Sequence, residues 1–573
     1  MSLLKTGVAS CFRVGRLSRN SGGVLCASTP STRCRPESLS FASFPGLFRS
    51  GRRFLSTEEP RPLDGRRKVV IVPGATPHRE FLAETSTSFE SLGIDTAVAD
   101  ALLRAGFERP AKVQAIGVPK IAEGKDVLVA AETGSGKTIT YLAPLLSKLV
   151  QQKRKADEEN KSVRAIRSFA VVLCPNGTLC NQVKSVADAL TTPDGTSLAT
   201  TMMVYQAMTE ASRRPDVVVA TPAGLLSTLR DLDKDFAMDW IAGVGHLVVD
   251  EADMLMTGGY CSKLQKIVEL FRIDERNTAY DYLSYALGMS EDEVGALPRH
   301  LKRAAVKGGI QQMLEEGFQP EQEAAKNAIE QFKAKGNRPE GRPPWHRQYI
   351  FVAATVPSEA KKNVATDIRS VCPDIEWVTS SGLHKTISTV DHQWVDVSES
   401  DPRIALFRAL EDSGGGRTLV FAKDSIAAGQ IQELISSRGV DAVLYHSKLR
   451  HDDAQKSLQM FRTNPDKIMV CTDAASRGLD VPNVTHVIQA DFASSAIDFL
   501  HRVGRTGRAG AEGKVTSLFS KENRDLVEAI KLSMSQGVPI EGAFSRKRSF
   551  RKKFKRYGKY VPRGQTVNIE ATG

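Results

Sequence analysis

One stretch, Ala131-Glu132-Thr133-Gly134-Ser135-Gly136-Lys137-Thr138, constrains this chain more than any other. The apolar run Val127-Leu128-Val129-Ala130 leads into it, and residues 139–150 follow with helical spacing of apolar side chains. Strand, glycine turn and helix in that order are the context a phosphate-binding loop requires. Gly134 and Gly136 let the backbone fold back, so that successive N–H groups converge on phosphate oxygens at a helix N-terminus. Lys137 adds a point charge for β- and γ-phosphates, and the Thr138 hydroxyl can hold Mg²⁺. The chain is expected to bind a nucleoside triphosphate.

An α/β fold follows from the flanking strands. Residues 169–174 (FAVVLC) and 216–220 (DVVVA) read as buried parallel strands, as does His246-Leu247-Val248-Val249. The last of these ends in Asp250-Glu251-Ala252-Asp253, and carboxylates at the C-terminal end of a parallel strand lie on the ligand edge of the sheet. Asp250 is expected to hold Mg²⁺ through water, and Glu251 to position or deprotonate the attacking water. Upstream, Gln114 could read an adenine edge with its carboxamide, and Phe89 or Phe107 could stack on the base.

At 573 residues the chain exceeds one core, so two domains with extensions are expected. A net charge of +12 points to a polyanionic partner. The eight cysteines are scattered without a C-x-x-C pair, which suits free thiols in a reducing compartment. No apolar run approaches the roughly 20 residues of a membrane helix, so no membrane partner is expected. Residues 1–57 carry Arg13, Arg16, Arg19, Arg33, Arg35, Arg49, Arg52 and Arg53 against Glu37 alone, the make-up of an organelle transit peptide. The arginine spacing suits a mitochondrial presequence and the serines suit a chloroplast as well. Residues 58–87 read as a disordered linker.

Later in the chain, residues 418–421, 442–445 and 467–471 read as strands between helical stretches, which places a second domain after residue 385. Three arginines at intervals of three, Arg502, Arg505 and Arg508, would line one face of a helical turn. From Ser545 onward, Arg546, Lys547, Arg548, Arg551, Lys552, Lys553, Lys555 and Arg556 interleave with Phe550, Phe554, Tyr557 and Tyr560. That density suits single-stranded RNA through phosphate contact and base stacking.

AETGSGKT, DEAD, the glutamine motif around Gln114, ASRGLD (475–480) and HRVGRTGR (501–508) together resemble the DEAD-box RNA helicases over residues 88–535. The resemblance implies two tandem RecA-like domains (88–385 and 386–540), a basic RNA-binding tail (541–573), ATP and Mg²⁺ as cofactors, RNA as partner and action as a monomer. It implies that Arg505 and Arg508 are arginine fingers for the γ-phosphate and that Asp480 reaches the ribose or the water network. It assigns RNA contact or coupling to Thr221, Asp253, Thr355, Thr472, Arg477, Gly478, His501 and Arg502. Four departures stand out. Asn176-Gly177 replaces a usual RNA-backbone arginine segment, and Thr221-Pro222-Ala223-Gly224 lacks its arginine. Ala353-Ala354-Thr355 lacks the serine of its motif, and Ala111 stands where a threonine is usual. The implied activity is ATP-driven remodelling of short RNA duplexes, with organellar ribosomal RNA and ribosome-assembly proteins as clients. An RNA clamp with little unwinding and a DNA translocase are the alternatives. Residues 274–345 exceed what the family uses and, with short helical patterns around 301–314 and 324–332, read as a mobile surface insertion or a partner site, after one core helix containing Leu264, Ile267, Val268, Leu270 and Phe271.

Overall fold

Short β-branched runs build two parallel sheets in this protein. The computed structural model describes residues 82–158, 169–204, 215–256, 258–319, 326–327, 345–356, 364–380, 383–386, 389–473, 481, 483–508 and 511–540. The first sheet holds β1 (Val127–Ala130), β2 (Phe169–Leu173), β3 (Thr201–Met203), β4 (Val217–Ala220), β5 (Val244–Val249), β6 (Gln348–Ala353) and β7 (Glu376–Thr379). Their spatial order is β3-β4-β2-β5-β6-β1-β7. The second holds β8 (Val390–Asp396), β9 (Arg417–Ala422), β10 (Ala442–Tyr445), β11 (Ile468–Thr472), β12 (Val484–Gln489) and β13 (Gly513–Phe519), ordered β10-β11-β9-β12-β13-β8. Neighbouring strands run parallel throughout. β1, β4 and β11 are buried along their whole length, as strands covered by helices on both faces must be. This is the expected α/β architecture of two tandem lobes, and both lobes belong to one compact unit.

The strands read from sequence at 169–174, 216–220, 246–249, 418–421, 442–445 and 467–471 coincide with β2, β4, β5, β9, β10 and β11. The five cysteines among the described residues are free. The expected transit peptide (1–57), the basic tail (541–573), and Arg477, Gly478 and Asp480 lie outside the described residues. The linker expectation for 58–87 needs correction at its end. Leu82 bridges Ala111, and the Ala83 N–H donates to the Pro110 carbonyl at 3.0 Å, so this segment is pinned by backbone bonds to the start of the helix that carries Gln114.

The insertion also departs from expectation. The single core helix runs on as Gly258–Leu287, so it is no short element of the first lobe. Its N-terminal part packs Leu264, Ile267, Val268 and Phe271 into the lobe. Its C-terminal part packs Leu283 and Leu287 against Leu301, Ala305, Ile310 and Met313 of the helix Arg299–Glu315, forming a satellite core of their own. The helical pattern at 301–314 matches the second helix, but its packing against Leu283 and Leu287 left no mark in a sequence where apolar positions are sparse among charges.

Arg347, fully buried, locks the return to β6. Its guanidinium donates to Asp274 Oδ2 at 2.5 Å and to the carbonyls of Phe271 (2.7 Å) and Ile241 (2.6 Å), with Glu275 Oε1 at 3.7 Å. Arg347→Ala would strand two buried carboxylates and is expected to destabilise the protein by about 3–5 kcal/mol, measured as a shift in the urea midpoint.

Candidate active site between the lobes

The carboxyl ends of β5, β6 and β1 lie side by side and carry the acidic turn, Ala353-Ala354-Thr355 and the phosphate loop. Strands about 4.8 Å apart put the first and last of these about 10 Å from each other, room for a phosphate chain and a cation. Open α/β sheets bind ligands at this edge.

In the phosphate loop Gly134 and Gly136 adopt φ of 81° and 86°, which other residues rarely do. Lys137 Nζ donates to the carbonyls of Ala131 and Glu132, both at 2.8 Å, so the loop is drawn in around its own lysine. Burial lowers the lysine's pKa, opposed by the charges of Glu251, Asp250, Asp253 and Glu132. The Ser135 hydroxyl is buried without a hydrogen-bond partner among the described residues, an orphaned group a phosphate oxygen would satisfy. Gln114 is tied to backbone at both ends. Its Oε1 accepts from Ala111 N–H at 2.8 Å and its Nε2 donates to the Gly136 carbonyl at 3.0 Å. It therefore braces the phosphate loop, and one amide hydrogen remains for a base. Phe89, expected to stack on a base, is instead 5% exposed within the apolar core, because the turn after it folds it under Ile94 and Val98. Phe107 is half-buried against the same core.

Behind the loop, the Tyr141 hydroxyl donates to Asp250 Oδ2 at 3.0 Å and also hydrogen-bonds Thr138. Thr138 and Asp250, the two expected Mg²⁺ ligands, thus share one neighbour. Burial, with help from the Glu251 charge, raises Asp250 to about 6. Adjacent carboxylates so short of compensation suit a hard dication. Glu251 itself sits at φ 51°, a strained backbone of the kind that collects at functional sites.

Asp253 faces the other way. Its Oδ2 accepts from Thr355 N–H at 2.9 Å and Thr355 Oγ1 at 2.6 Å, and lies 3.4 Å from His501 Nε2 of the second lobe. Burial alone would raise its pKa, yet the bonds from His501 and Thr355 hold it at about 2. The missing serine at Ala353 does not break this chain of contacts, since Thr355 carries it. Ala353 is wholly buried in β6, and its carbonyl accepts from Ala131 N–H at 3.1 Å.

The second lobe closes the site with the helix Ala496–Val503, capped at its start by Ser495. The helix ends before the arginine series is complete, so the three arginines do not share one helical face. Arg502 is buried inside its own lobe. It is bidentate to Asp473 at 2.6 and 2.8 Å, donates to the Asp491 carbonyl at 2.5 Å, and stacks over Phe421. Its role is to set the lobe's own architecture. Arg505 and Arg508 follow in the turn, and their Nε–H groups donate to the carbonyls of His501 and Gly504, each at 3.1 Å. Arg508 crosses the seam, since a Cβ placed on Gly134 would meet its Cγ at 3.1 Å.

Further contacts hold the lobes together. Thr133 Oγ1 donates to the Gly504 carbonyl at 3.1 Å, and the hydroxyls of Thr178 and Tyr445 lie 3.1 Å apart. Thr472 is buried at the end of β11. Thr221 caps the helix Pro222–Asp231 by accepting from Gly224 N–H at 3.1 Å, which leaves its own proton to donate. The Gly504 contact carries a prediction. Its φ of −66° suits any residue, but a Cβ there would fall 1.7 Å from Thr133 Oγ1. Gly504→Ala is expected to leave thermal unfolding nearly unchanged while cutting RNA-stimulated ATPase by about 10²-fold, because the fingers stop short of the phosphate.

Comparison with known proteins agrees with this geometry. The family described as DEAD/DEAH box helicase matches residues 111–285, and the helicase conserved C-terminal domain matches 402–510. Among solved structures, S. cerevisiae Dbp5 bound to RNA and ADP BeF3 covers 78% of this chain and 93% of its own, with TM-score 0.55 and 17% identity. The DEAD-box helicase Mss116 bound to ssRNA and UDP-BeF covers 80% of each chain, with TM-score 0.54 and 20% identity. Both likenesses speak to the fold. DEAD-box ATP-dependent RNA helicase 22 of Arabidopsis thaliana is 36% identical over 501 residues, 83% of this chain and 84% of the relative. Its counterpart in Oryza sativa subsp. japonica is 37% identical over 492 residues, 83% of this chain and 85% of the relative. At that identity across most of its length, the chain belongs to the DEAD-box ATP-dependent RNA helicases.

Proposed function

We propose that this helicase acts in an organelle, the mitochondrial matrix or the chloroplast stroma, on structured ribosomal RNA during ribosome assembly. The observation that carries the catalytic part is the seam itself. The phosphate loop and acidic turn of one lobe meet Arg508 and His501 of the other, and Arg505 sits in the same turn, bonded to the His501 carbonyl. Neither lobe alone holds the whole set, so RNA bound across both lobes can control hydrolysis by closing them. Lys137 and the loop N–H groups bind and orient the phosphates, Glu251 orients and takes the proton of the attacking water, and the arginines meet the charge developing on the γ-phosphoryl group. Thr138 and Asp250 would hold Mg²⁺, which neutralises charge on the phosphate oxygens when bound. The arginine-rich, acid-poor residues 1–57 support import, and the basic, aromatic tail supports RNA binding beyond the lobes.

A clamp that seldom unwinds is the second reading. It is favoured by the absence of the two RNA-facing arginines around Asn176 and Ala223. Strand displacement and RNA-stimulated ATPase, measured together on the full chain, separate the two. ATP turnover without displacement supports the clamp, and stimulation by DNA as strong as by RNA would overturn both. Crosslinking bound RNA in purified organelles tests the client, and recovery of no ribosomal RNA would sink that part.

A further inference from the structure

Between Thr379 of the first sheet and Val390 of the second, the chain must let the lobes part and meet again. A bare tether expresses no preference for the closed arrangement. His384, in this connection, does. It is 2% exposed and holds φ 61°, a left-handed conformation that is strained for a non-glycine residue and persists only where the surroundings impose it. Its imidazole Nε2 accepts from Val356 N–H at 2.9 Å, in the first lobe. Its carbonyl accepts from Ile540 N–H at 2.9 Å, and Ile540 is fully buried in the core of the second. Among linker residues 383–386, His384 alone bonds to both lobes. Leu383 beside it packs on the first lobe's core, and Thr389 Oγ1 donates to the Ala511 carbonyl in the second.

The partner in the first lobe is the decisive feature. Val356 directly follows Thr355, whose N–H and hydroxyl both hold Asp253. A peptide plane is rigid, so any shift of Thr355 carries the Val356 N–H with it. Glu132, Thr355, His384, His501 and Gly504 line one crevice. The imidazole is thus seated where phosphate loop, acidic turn and second lobe converge. Accepting at Nε2 requires a neutral ring with its proton on Nδ1, a role that no lysine or arginine could fill.

We propose that His384 is a positioning residue for lobe closure, a clasp that favours the linker's closed course only while the Asp253–Thr355 contact is in place. The side-chain bond is the detachable half, and the backbone bond keeps His384 with the second lobe. The proposal rests on the reading that closure over ATP couples RNA to hydrolysis.

The test uses the full chain with one fluorophore per lobe. His384→Gly removes the ring while leaving the left-handed backbone unstrained. His384→Gln keeps an acceptor of similar reach. His384→Leu fills the site without an acceptor and serves should the glycine variant not fold. The glycine or leucine variant is expected to need about tenfold more RNA for half-maximal ATPase, as one lost buried hydrogen bond implies. Its closed fraction with RNA and a non-hydrolysable ATP analogue should fall, while kcat at saturating RNA stays within about twofold. Glutamine should restore most of the RNA response. An unchanged RNA requirement, a fall in kcat alone, or a glutamine variant as impaired as leucine would each overturn the clasp. Failure of the wild-type chain to close with RNA and the analogue would instead sink the underlying reading of closure.

Discussion

Replacing Arg505 with alanine should slow RNA-stimulated ATP hydrolysis by about 10³- to 10⁵-fold, the range for a lost arginine finger. The side chain is 4% exposed, in the turn after the helix Ala496–Val503, and its Nε–H is fixed on the His501 carbonyl. That bond anchors the guanidinium on the residue whose imidazole faces Asp253 of the first lobe. Nucleotide binding should change little, because the phosphate loop and Gln114 belong to the other lobe. The measurement pairs kcat at saturating RNA with the Kd of a non-hydrolysable analogue on the full chain. A kcat within tenfold of wild type would remove Arg505 from this role. Arg505→Lys should recover only part of the rate, since an ammonium has no planar fork.

Lys137→Ala is expected to lower kcat by at least about 10²- to 10³-fold, as loss of a fixed charge-stabilising donor does. Unlike Arg505, it should also weaken nucleotide binding. Its ammonium now bridges two carbonyls of its own loop, at positions that phosphate oxygens would take over. It is also the nearby cation for Asp250, Glu251 and Asp253, whose charges all act on it. Without it, an incoming triphosphate meets three carboxylates and no fixed positive charge from its own lobe's loop. Titration with the same analogue separates the two variants. An unaltered Kd together with normal turnover in Lys137→Ala would show that the loop does not cradle phosphate.

The sequence displays strands such as β4 and β11 because their runs are apolar on both faces, whereas β12 (VTHVIQ) and β13 (GKVTSLF), interior as well, carry polar residues that hide them. β8, reading VDHQWVD along one edge of its sheet, is half-buried and mixed, so no such signal marks it. β3, three residues at the other sheet's edge, is too short to announce itself. Lys137, Asp250 and Glu251 were legible because their chemistry depends on neighbours a few positions away. Gln114 was legible as a residue but not as a brace, since its partner Gly136 belongs to a different turn. The Thr133–Gly504 bond spans 371 positions and the Asp253–His501 contact joins separate lobes, so no local pattern encodes them. Phe89 misled for the opposite reason. An aromatic near a ligand loop looks the same in sequence whether its ring serves a base or the core.

The sheet order has a consequence for how the protein is made. β1, which carries the phosphate loop, is flanked by β6 and β7, and Val127 pairs with Ile350 and Glu376. Both neighbours emerge from the ribosome over 200 residues after it. At typical synthesis rates of about 5–20 residues per second, this strand waits roughly 10–50 s without a partner on either edge. The nucleotide cradle is therefore among the last parts of its lobe to take shape, and the nascent chain offers chaperones a sticky apolar strand in the meantime.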